Sequence, residues 1–564
     1  MSATDLPHQT LTGIGVSPGR AAGTVLRMPD PVPEPARDER LDAATPTDDA
    51  AAAIAAAADG VRDGLEAAAR GATGAGREVL ETTAMMAADP TLVSTAQGLV
   101  RSDGLSPARA VWQAAGQVID QLAALGGYMA ERTRDVADVR DRLVAALTGR
   151  PAPGVPDPGH PFVLVARDLA PADTATLDPA RVVAIVTAEG GPTSHTAILA
   201  RSLGIPAVVG ATGSTDLADG TRVLVDGAKG EVIVDPSDEQ VARAEALAAQ
   251  VRTFDGHGRT RDGHAVPLLA NIGRPDGAQA AADAGAEGVG LFRTEFCFLD
   301  RTQAPTVAEQ VAAYRKVLAA FPGKKVVVRT LDAGADKPLP FLTNTDEPNP
   351  ALGVRGLRTS WRNPAVLEDQ LDAIAEAAAA ESAETWVMAP MVATVEETEA
   401  FVARCTAHGL ATAGVMVEVP SAALLSGPIL ARAAFASIGT NDLTQYAMAS
   451  DRMLGDLAAL STSWQPAVLH LIAATCAGGE QQGRPVGVCG EAAADPALAV
   501  VLVGLGVSTL SMSPRALPDV AAVLASVTRE ECGRLARAAL VAETADDARG
   551  LVRAALPVLE ELGL

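Results

Sequence analysis

The chain is poor in aromatic side chains. Its 564 residues include only four Trp, three Tyr and nine Phe, so its cores must rest on Ala, Val and Leu, through many contacts of modest size. Cysteine is also sparse: Cys297, Cys405, Cys476, Cys489 and Cys532 stand without pairing intervals, which argues against a disulfide framework and fits a reducing compartment. No run of about 20 apolar residues occurs, and the opening MSATDLPHQT has neither a basic head nor an apolar signal core. A soluble, cytoplasmic protein without membrane insertion is expected. Cations are short as well, with 45 Lys and Arg against 69 Asp and Glu and a net charge of −24, which argues against nucleic acid or an anionic membrane as partner. An anionic substrate must then be met by local arginines.

Four zones follow one another. At about 150 residues per domain, the length suits roughly three or four domains. GIGVSPGRAAGTVLRM reads as a glycine turn and a strand, and PDPVPEPARDER then interrupts regular structure with four prolines. From about Leu41 to Leu147 the pattern is helical and Ala-rich. After Pro151–Pro161 come the short apolar runs VLVARD, VVAIVT, AVVG, RVLVDG and EVIVDP, which read as strands. The first strand has no sheet of its own and is expected to join this later one, which makes the helical zone an insertion. PSDEQVARAEALAAQVRTF predicts a connecting helix with Ser237 or Asp238 as N-cap.

Within the second strand zone, Gly190-Gly191-Pro192-Thr193-Ser194-His195-Thr196 follows the strand Val182–Thr187 and precedes the small apolar run Ala197–Ala200. A lone histidine near a helix start is commonly a cap or a packed residue. Here the order of strand, glycine turn and helix places it where backbone N–H groups and the helix dipole favour an anion. No second His or Cys lies at metal-ligand spacing, and no nucleophile elbow accompanies it. His195 is therefore the candidate carrier of a phosphoryl group.

From about Asp262 eight strand-like runs alternate with helical segments: VPLLANI, GVGLFRT, KVVVRTL, TWVMAPM, AGVMVEV, FASIGTN, PVGVCGE and VSTLSMS. Eight is the number that closes a parallel barrel, whose chemistry lies at the C-terminal strand ends. Those ends carry Asn271, Arg293, Arg329, Met391, Glu418, Asn441, Asp442, Cys489 and Ser511. Singly, such arginines and acids make ordinary structural ion pairs. Together they suit a small phosphorylated acid: Arg293, Arg329 and, just beyond the sixth strand, Arg452 offer planar forks, and Asn441 offers a donor. Glu418 and Asp442 are oxygen ligands fit for Mg²⁺, which takes one or two carboxylates and completes its shell with substrate and water.

GGPTSHTAILARSLGIPAVVG resembles the phosphohistidine signature shared by Enzyme I of the sugar phosphotransferase system, phosphoenolpyruvate synthase and pyruvate phosphate dikinase. GLFRTEF, VVVRTLDAGADKPLPF, GVMVEVP, SIGTNDLTQY, SDR and GVCGE resemble the phosphoenolpyruvate-binding barrel of that superfamily. The resemblance implies that His195 accepts phosphate through Nε2, with Thr174, in APADTATLD, orienting the imidazole. It implies that Glu418 and Asp442 hold magnesium, that Arg293, Arg329, Asn441 and Arg452 hold the substrate, and that Cys489 protonates the enol carbon. ALGVRGLR resembles a further barrel loop that offers Arg355 or Arg358 to the phosphate. Two departures stand out: Met453-Leu454 follows Asp451-Arg452 where the family continues Gly-Asn, and Pro192 replaces a basic residue found in many members.

The chain has no room for an ATP-grasp domain and no Gly-rich nucleotide loop, so it resembles the Enzyme I family rather than the two larger ones. The expected architecture is a multidomain α/β protein. Residues 1–33 plus 151–236 form a swivelling phosphohistidine β/α domain, 34–150 an inserted α-helical domain that docks the carrier HPr, 237–260 a linker helix and hinge, and 261–564 a (β/α)8 TIM barrel that binds phosphoenolpyruvate and dimerises. Residues 34–142 hold 18 acidic and 11 basic side chains, which suits a basic docking partner or simply reflects solvated helix faces. Met85-Met86 reads as a shallow apolar contact there or as core. The expected activity is phosphoryl transfer from phosphoenolpyruvate to His195 with Mg²⁺, release of pyruvate, and transfer to HPr for sugar uptake. The alternatives are a paralogue serving a regulatory phosphorelay and a degenerate phosphoenolpyruvate sensor that transfers nothing.

Overall fold

A computed structural model describes residues 9–29, 32–71, 75–125, 133–151, 153–156, 158–169, 177–191, 194–250, 252–299, 301–334, 339–343, 347–451 and 454–564. The chain divides into two compact units, Met1–Ala246 and Leu247–Leu564. Among the described residues no helix is long and apolar enough to cross a membrane.

The first unit contains an eight-stranded sheet and a group of helices. Its strands are β1 (Thr10–Thr12), β2 (Ile14–Ser17), β3 (Arg20–Arg27), β4 (Phe162–Ala166), β5 (Val182–Thr187), β6 (Ala207–Val209), β7 (Arg222–Asp226) and β8 (Glu231–Val234), in the order β1-β8-β7-β3-β4-β5-β6-β2. The single strand expected within Gly13–Met28 is in fact two, β2 and β3, and β1 precedes them. β1 and β2 lie at opposite ends of the strand order although only Gly13 separates them. Gly13 donates its N–H to Gly230 O at 2.8 Å, and a Cβ on it would stand 2.6 Å from Val209 O, so a side chain there would keep the two ends of the sheet apart. Two apolar clusters pack the sheet, one around Phe162, Leu164 and Ile185 and the other around Val163, Val165 and Val186, as alternation along β4 and β5 requires.

Between β3 and β4 the chain leaves the sheet for the helices Thr47–Gly71, Ala75–Ala87, Pro90–Asp103, Pro107–Leu125 and Thr133–Thr148. β3 and β4 nevertheless pair in parallel, Val25 with Val163 and Arg27 with Val165. The helices bury small side chains such as Ala50, Ile54, Ala96, Val111 and Leu143. Helix Pro90–Asp103 shows the local code well: Asp89 accepts from the Thr91 and Leu92 N–H groups, Pro90 opens the first turn, and Gly104 closes the helix at φ 63°. Of the Met85-Met86 pair, Met85 is exposed and Met86 packs against the helical core.

The segment after β8 forms the helix Asp238–Ala248. Of its two candidate caps Ser237 serves, its Oγ accepting from the Gln240 N–H at 3.3 Å while Gln240 Oε1 accepts from the Ser237 N–H at 2.8 Å.

The second unit is a closed parallel barrel of β9 (Leu268–Ile272), β10 (Gly288–Arg293), β11 (Lys325–Arg329), β12 (Glu384–Ala389), β13 (Ala413–Val417), β14 (Ala436–Ile438), β15 (Val486–Val488) and β16 (Thr509–Met512), closed by β16 on β9. All eight runs read from the sequence are strands, each followed by helical structure. Leu291, Val327, Met388, Met416, Phe435 and Cys489 form a separate buried cluster drawn from successive strands, as expected for layers that fill a barrel rather than line a pore. Thr-x-x-Glu capping boxes start the helices at Val307, Val395 and Arg529.

Candidate active site

His195 begins a helix, His195–Leu203, with Ser194 as its N-cap: the Ser194 hydroxyl accepts from the Ala197 N–H at 3.2 Å. The turn before it depends on Gly190, whose φ of 98° an L side chain rarely adopts. Asp168, just past β4, ties this helix start to the sheet, its Oδ1 accepting from the Leu169 N–H at 2.9 Å and the Thr196 hydroxyl at 3.3 Å. At the far end Arg201 donates to Val16 O at 3.1 Å and Gly204 forms the left-handed cap. The sheet thus fixes the helix that begins at position 195, where first-turn N–H groups lack intrahelical acceptors. Thr174 and Pro192 lie outside the described residues.

The barrel mouth brings together side chains from strand ends far apart in sequence. Arg329, the last residue of β11, is buried and donates from Nη2 to Glu295 Oε1 at 2.8 Å, with its Nη1 3.4 Å from Asp332 Oδ2. Arg355 is 1% exposed. It donates from Nε and Nη2 to the two Asp332 oxygens, both at 3.2 Å, and from Nη2 to Asp442 Oδ2 at 3.3 Å. Glu418, the residue after β13, is equally buried and accepts from the Met391 N–H at 2.7 Å. Met391 holds φ at 58° to present that N–H, a left-handed conformation that costs a non-glycine residue about 1 kcal/mol or more and is found mostly at functional sites.

The electrostatics follow from burial. Burial and the nearby Asp442 and Asp332 carboxylates push the Glu418 pKa up to about 8, against the opposing pull of Arg329. Burial works against the charge on Arg329, but Glu295, Asp332 and Glu418 outweigh it and hold the guanidinium charged. Four carboxylates, Glu295, Asp332, Glu418 and Asp442, thus face two guanidiniums. Two negative charges are left over when all are ionised, the deficit that one divalent cation neutralises. Asp442 Oδ1 is buried without a hydrogen bond, although it lies 3.3 Å from Arg355 Nη1, so it retains ligand capacity. Among the described residues no three His, Cys, Asp or Glu side chains are grouped to cage an ion by themselves.

Several other predicted residues stand at neighbouring strand ends of the barrel. Cys489, directly after β15, is buried, and burial raises its thiol pKa. Its neighbour Asn271 on β9 donates to Cys489 O at 2.9 Å and accepts from the Ser511 hydroxyl at 2.6 Å. Asn441, in the first turn of helix Thr440–Met448, accepts from the Glu491 N–H at 3.0 Å, which turns its Oδ1 to the protein and leaves the amide N–H₂ to donate. Arg293 ends β10 with an exposed side chain. Of the two candidate arginines in ALGVRGLR, Arg355 enters the cluster, whereas Arg358 pairs with Glu397 at 3.3 Å at the start of helix Val395–Ala407. Arg452 and Met453 lie outside the described residues.

Two residues of the cluster, Glu295 and Asp332, were not singled out from the sequence. Each follows a predicted arginine closely, Glu295 two residues after Arg293 and Asp332 three after Arg329. An acid so placed past a barrel strand was the available signal.

Known proteins agree along the whole chain. The model described as PEP-utilising enzyme, N-terminal, matches residues 12–132, the PEP-utilising enzyme mobile domain matches 158–230, and the PEP-utilising enzyme PEP-binding domain matches 248–529. A phosphoenolpyruvate-protein phosphotransferase of Streptomyces coelicolor is 50% identical over 556 residues, covering 97% of this chain and 99% of its own. One of Haloferax volcanii is 41% identical, covering 96% and 98%, and one of Staphylococcus carnosus is 37% identical, covering 82% and 84%.

Proposed function

The chain belongs to the PEP-utilising enzymes of the phosphoenolpyruvate-protein phosphotransferase family, and from that premise we propose that it transfers phosphate from phosphoenolpyruvate to His195 and then to the carrier HPr. The observation that carries the reading is the barrel-mouth cluster in which Glu295, Asp332, Glu418 and Asp442 face only Arg329 and Arg355, short by two positive charges when all are ionised and adjoining a buried thiol.

In this reading Arg293, Arg329 and Arg452 hold the carboxylate and phosphate of phosphoenolpyruvate in planar forks, and the Asn441 amide donates to a substrate oxygen. A divalent cation, Mg²⁺ in this reading, held by Glu418 and Asp442, would neutralise charge on the transferring phosphoryl group. The imidazole of His195 attacks phosphorus, a P–N bond forms, and the P–O bond to the enol oxygen breaks. The enolate left behind takes a proton at carbon from the Cys489 thiol, which burial keeps protonated for that purpose. Pyruvate leaves, and the phosphohistidine gives its phosphoryl group to the carrier.

His195 and the barrel mouth belong to different units, so the reaction requires them to be brought together, with residues 237–260 as the hinge. We assign residues 1–33 plus 151–236 as the phosphohistidine domain, 34–150 as the HPr-docking insertion, whose acidic balance and exposed Met85 suit a basic carrier face with an apolar centre, and 261–564 as the substrate and dimerisation barrel. Incubation with Mg²⁺ and radiolabelled phosphoenolpyruvate, then with HPr, tests the reading. Acid-labile label on wild type, absent from His195→Ala and chased onto HPr, supports it. Label that stays on the protein points to a different carrier and a regulatory relay, and no label points to a sensor.

A further inference from the structure

A fully buried chain of polar side chains runs beneath the barrel mouth and hydrogen-bonds to the cluster described above only at the backbone carbonyl of Arg329. Gln370, on the helix Pro364–Ala380, is its centre. Its Oε1 accepts from the Leu331 N–H at 2.8 Å. Its Nε2 donates to the Thr294 hydroxyl at 3.1 Å and to the Tyr314 hydroxyl at 3.0 Å. Thr294 passes its own proton to Arg329 O at 2.9 Å, and Tyr314 passes its proton to Gln310 Oε1 at 2.9 Å. Gln310 completes the chain by donating to Pro305 O at 3.2 Å. Burial raises the Tyr314 pKa well above its ordinary value, so the phenol stays a donor at every working pH.

The direction of every bond is determined. Gln370 uses both amide protons and its carbonyl, and each hydroxyl accepts once and donates once. Such a chain has one arrangement, and its cost is desolvation of polar groups in a core where apolar side chains of similar volume would pack without that penalty. What it achieves is placement. It grips the backbone on both sides of Thr330, through Arg329 O and Leu331 N–H, and it joins Thr294, directly after Arg293, to the same point. The ends of β10 and β11, which carry both arginines read as substrate forks, are thereby locked to each other and to the helices Val307–Ala319 and Pro364–Ala380. Phe292 reinforces the same junction, its ring edge-on to Tyr314 at 5.9 Å and 85°.

We propose that Gln370, with Tyr314 and Thr294, is a positioning residue for the reaction, setting the geometry of Arg293 and Arg329 for a small phosphorylated carboxylic acid without touching it. The inference rests on the function proposed above. Displacing a substrate clamp by about 1 Å costs on the order of a hundredfold in rate, so the effect is measurable.

The test uses the full-length chain as Gln370→Met, which keeps length and volume but removes three hydrogen bonds, and as Tyr314→Phe, which removes only the phenol proton and oxygen. Two half-reactions are followed separately: phosphorylation of His195 by phosphoenolpyruvate, and exchange of phosphate between His195 and HPr starting from phosphorylated HPr. Positioning predicts a KM for phosphoenolpyruvate raised about tenfold in Gln370→Met and a few-fold in Tyr314→Phe, with the HPr exchange rate unchanged. A merely structural role lowers the amount of active protein and leaves KM at its wild-type value, which overturns the proposal. If Gln370→Met fails to fold, Tyr314→Phe decides on the same criterion. Failure of the underlying reading is distinguishable, because wild type itself would then take no label from phosphoenolpyruvate.

Discussion

Uptake of Mg²⁺ at the barrel mouth should release protons in a number set by Glu418. Burial, with Asp442 and Asp332 beside it, pushes its pKa up to about 8. The carboxyl is then protonated in about nine molecules of ten at pH 7 and about one of ten at pH 9. A cation that takes this carboxylate must displace the proton, so binding should release about 0.9 proton per ion at pH 7 and about 0.1 at pH 9. The same competition weakens apparent affinity at pH 7 about tenfold relative to the plateau above pH 9, about 1.4 kcal/mol. Titration calorimetry in two buffers of different ionisation heat counts the protons directly, and Glu418→Gln should abolish both the release and most of the binding. Equal proton counts at the two pH values, or none at pH 7, refute the reasoning. The sign for the cation-free protein is opposite. A carboxyl whose pKa is raised on folding, from about 4.5 to about 8, destabilises the native state as pH climbs through that interval. Denaturant unfolding with chelator present should therefore show a less stable barrel at pH 8.5 than at pH 6.

Cys489→Ala should slow pyruvate formation from phosphoenolpyruvate by about a hundredfold or more, the usual worth of a placed proton donor, while phosphate exchange between His195 and HPr keeps its rate; equal loss in both would place the thiol outside the chemistry. Arg355→Met leaves Asp332 and Asp442 facing each other without their shared guanidinium, and should cost the cation-free barrel about 3–5 kcal/mol in denaturant unfolding, part of it restored by Mg²⁺. Lys325 is partly buried with its ammonium 3.9 Å from the Trp386 ring centre, and desolvation draws its pKa down to about 8; with only five lysines in the chain, NMR of the ¹³C-methylated protein should show one lysine amine, lost in Lys325→Arg, titrating near pH 8, and lysines titrating wholly above about pH 10 contradict this. Thr306→Ala removes one hydroxyl of a complete capping box and should lower barrel stability by about 1 kcal/mol, read from the same unfolding curves.

The barrel strands were legible because each is a local signal: a short β-branched apolar run, bounded by turn residues, with a polar residue where it stops. The cap at Ser237 was legible, to within one residue, for the same reason, since Ser237 and Gln240 act across a single helical turn. The N-terminal strands were only half legible. Ile14–Ser17 and Thr10–Thr12 pair with strands some 200 residues away, and nothing within the segment tells one strand from several. Gln370 was hidden for a related reason. Among the Ala and Glu of its helix it reads as one more solvated polar position, and only the packing of that helix against Tyr314 and Thr294 makes it buried.

Residue chemistry and its spacing along the chain therefore specified which groups stand at which strand ends, His195 after its glycine turn included, because turns, caps and apolar runs are short-range physics. Barrel closure decided which of those groups meet. It set Arg355 between Asp332 and Asp442, brought Glu295 onto Arg329, and left the Arg358 fork on Glu397. Charge compensation acts through space and depends on burial, so the two-charge deficit at the mouth and the raised pKa of Glu418 exist only once β9 has joined β16.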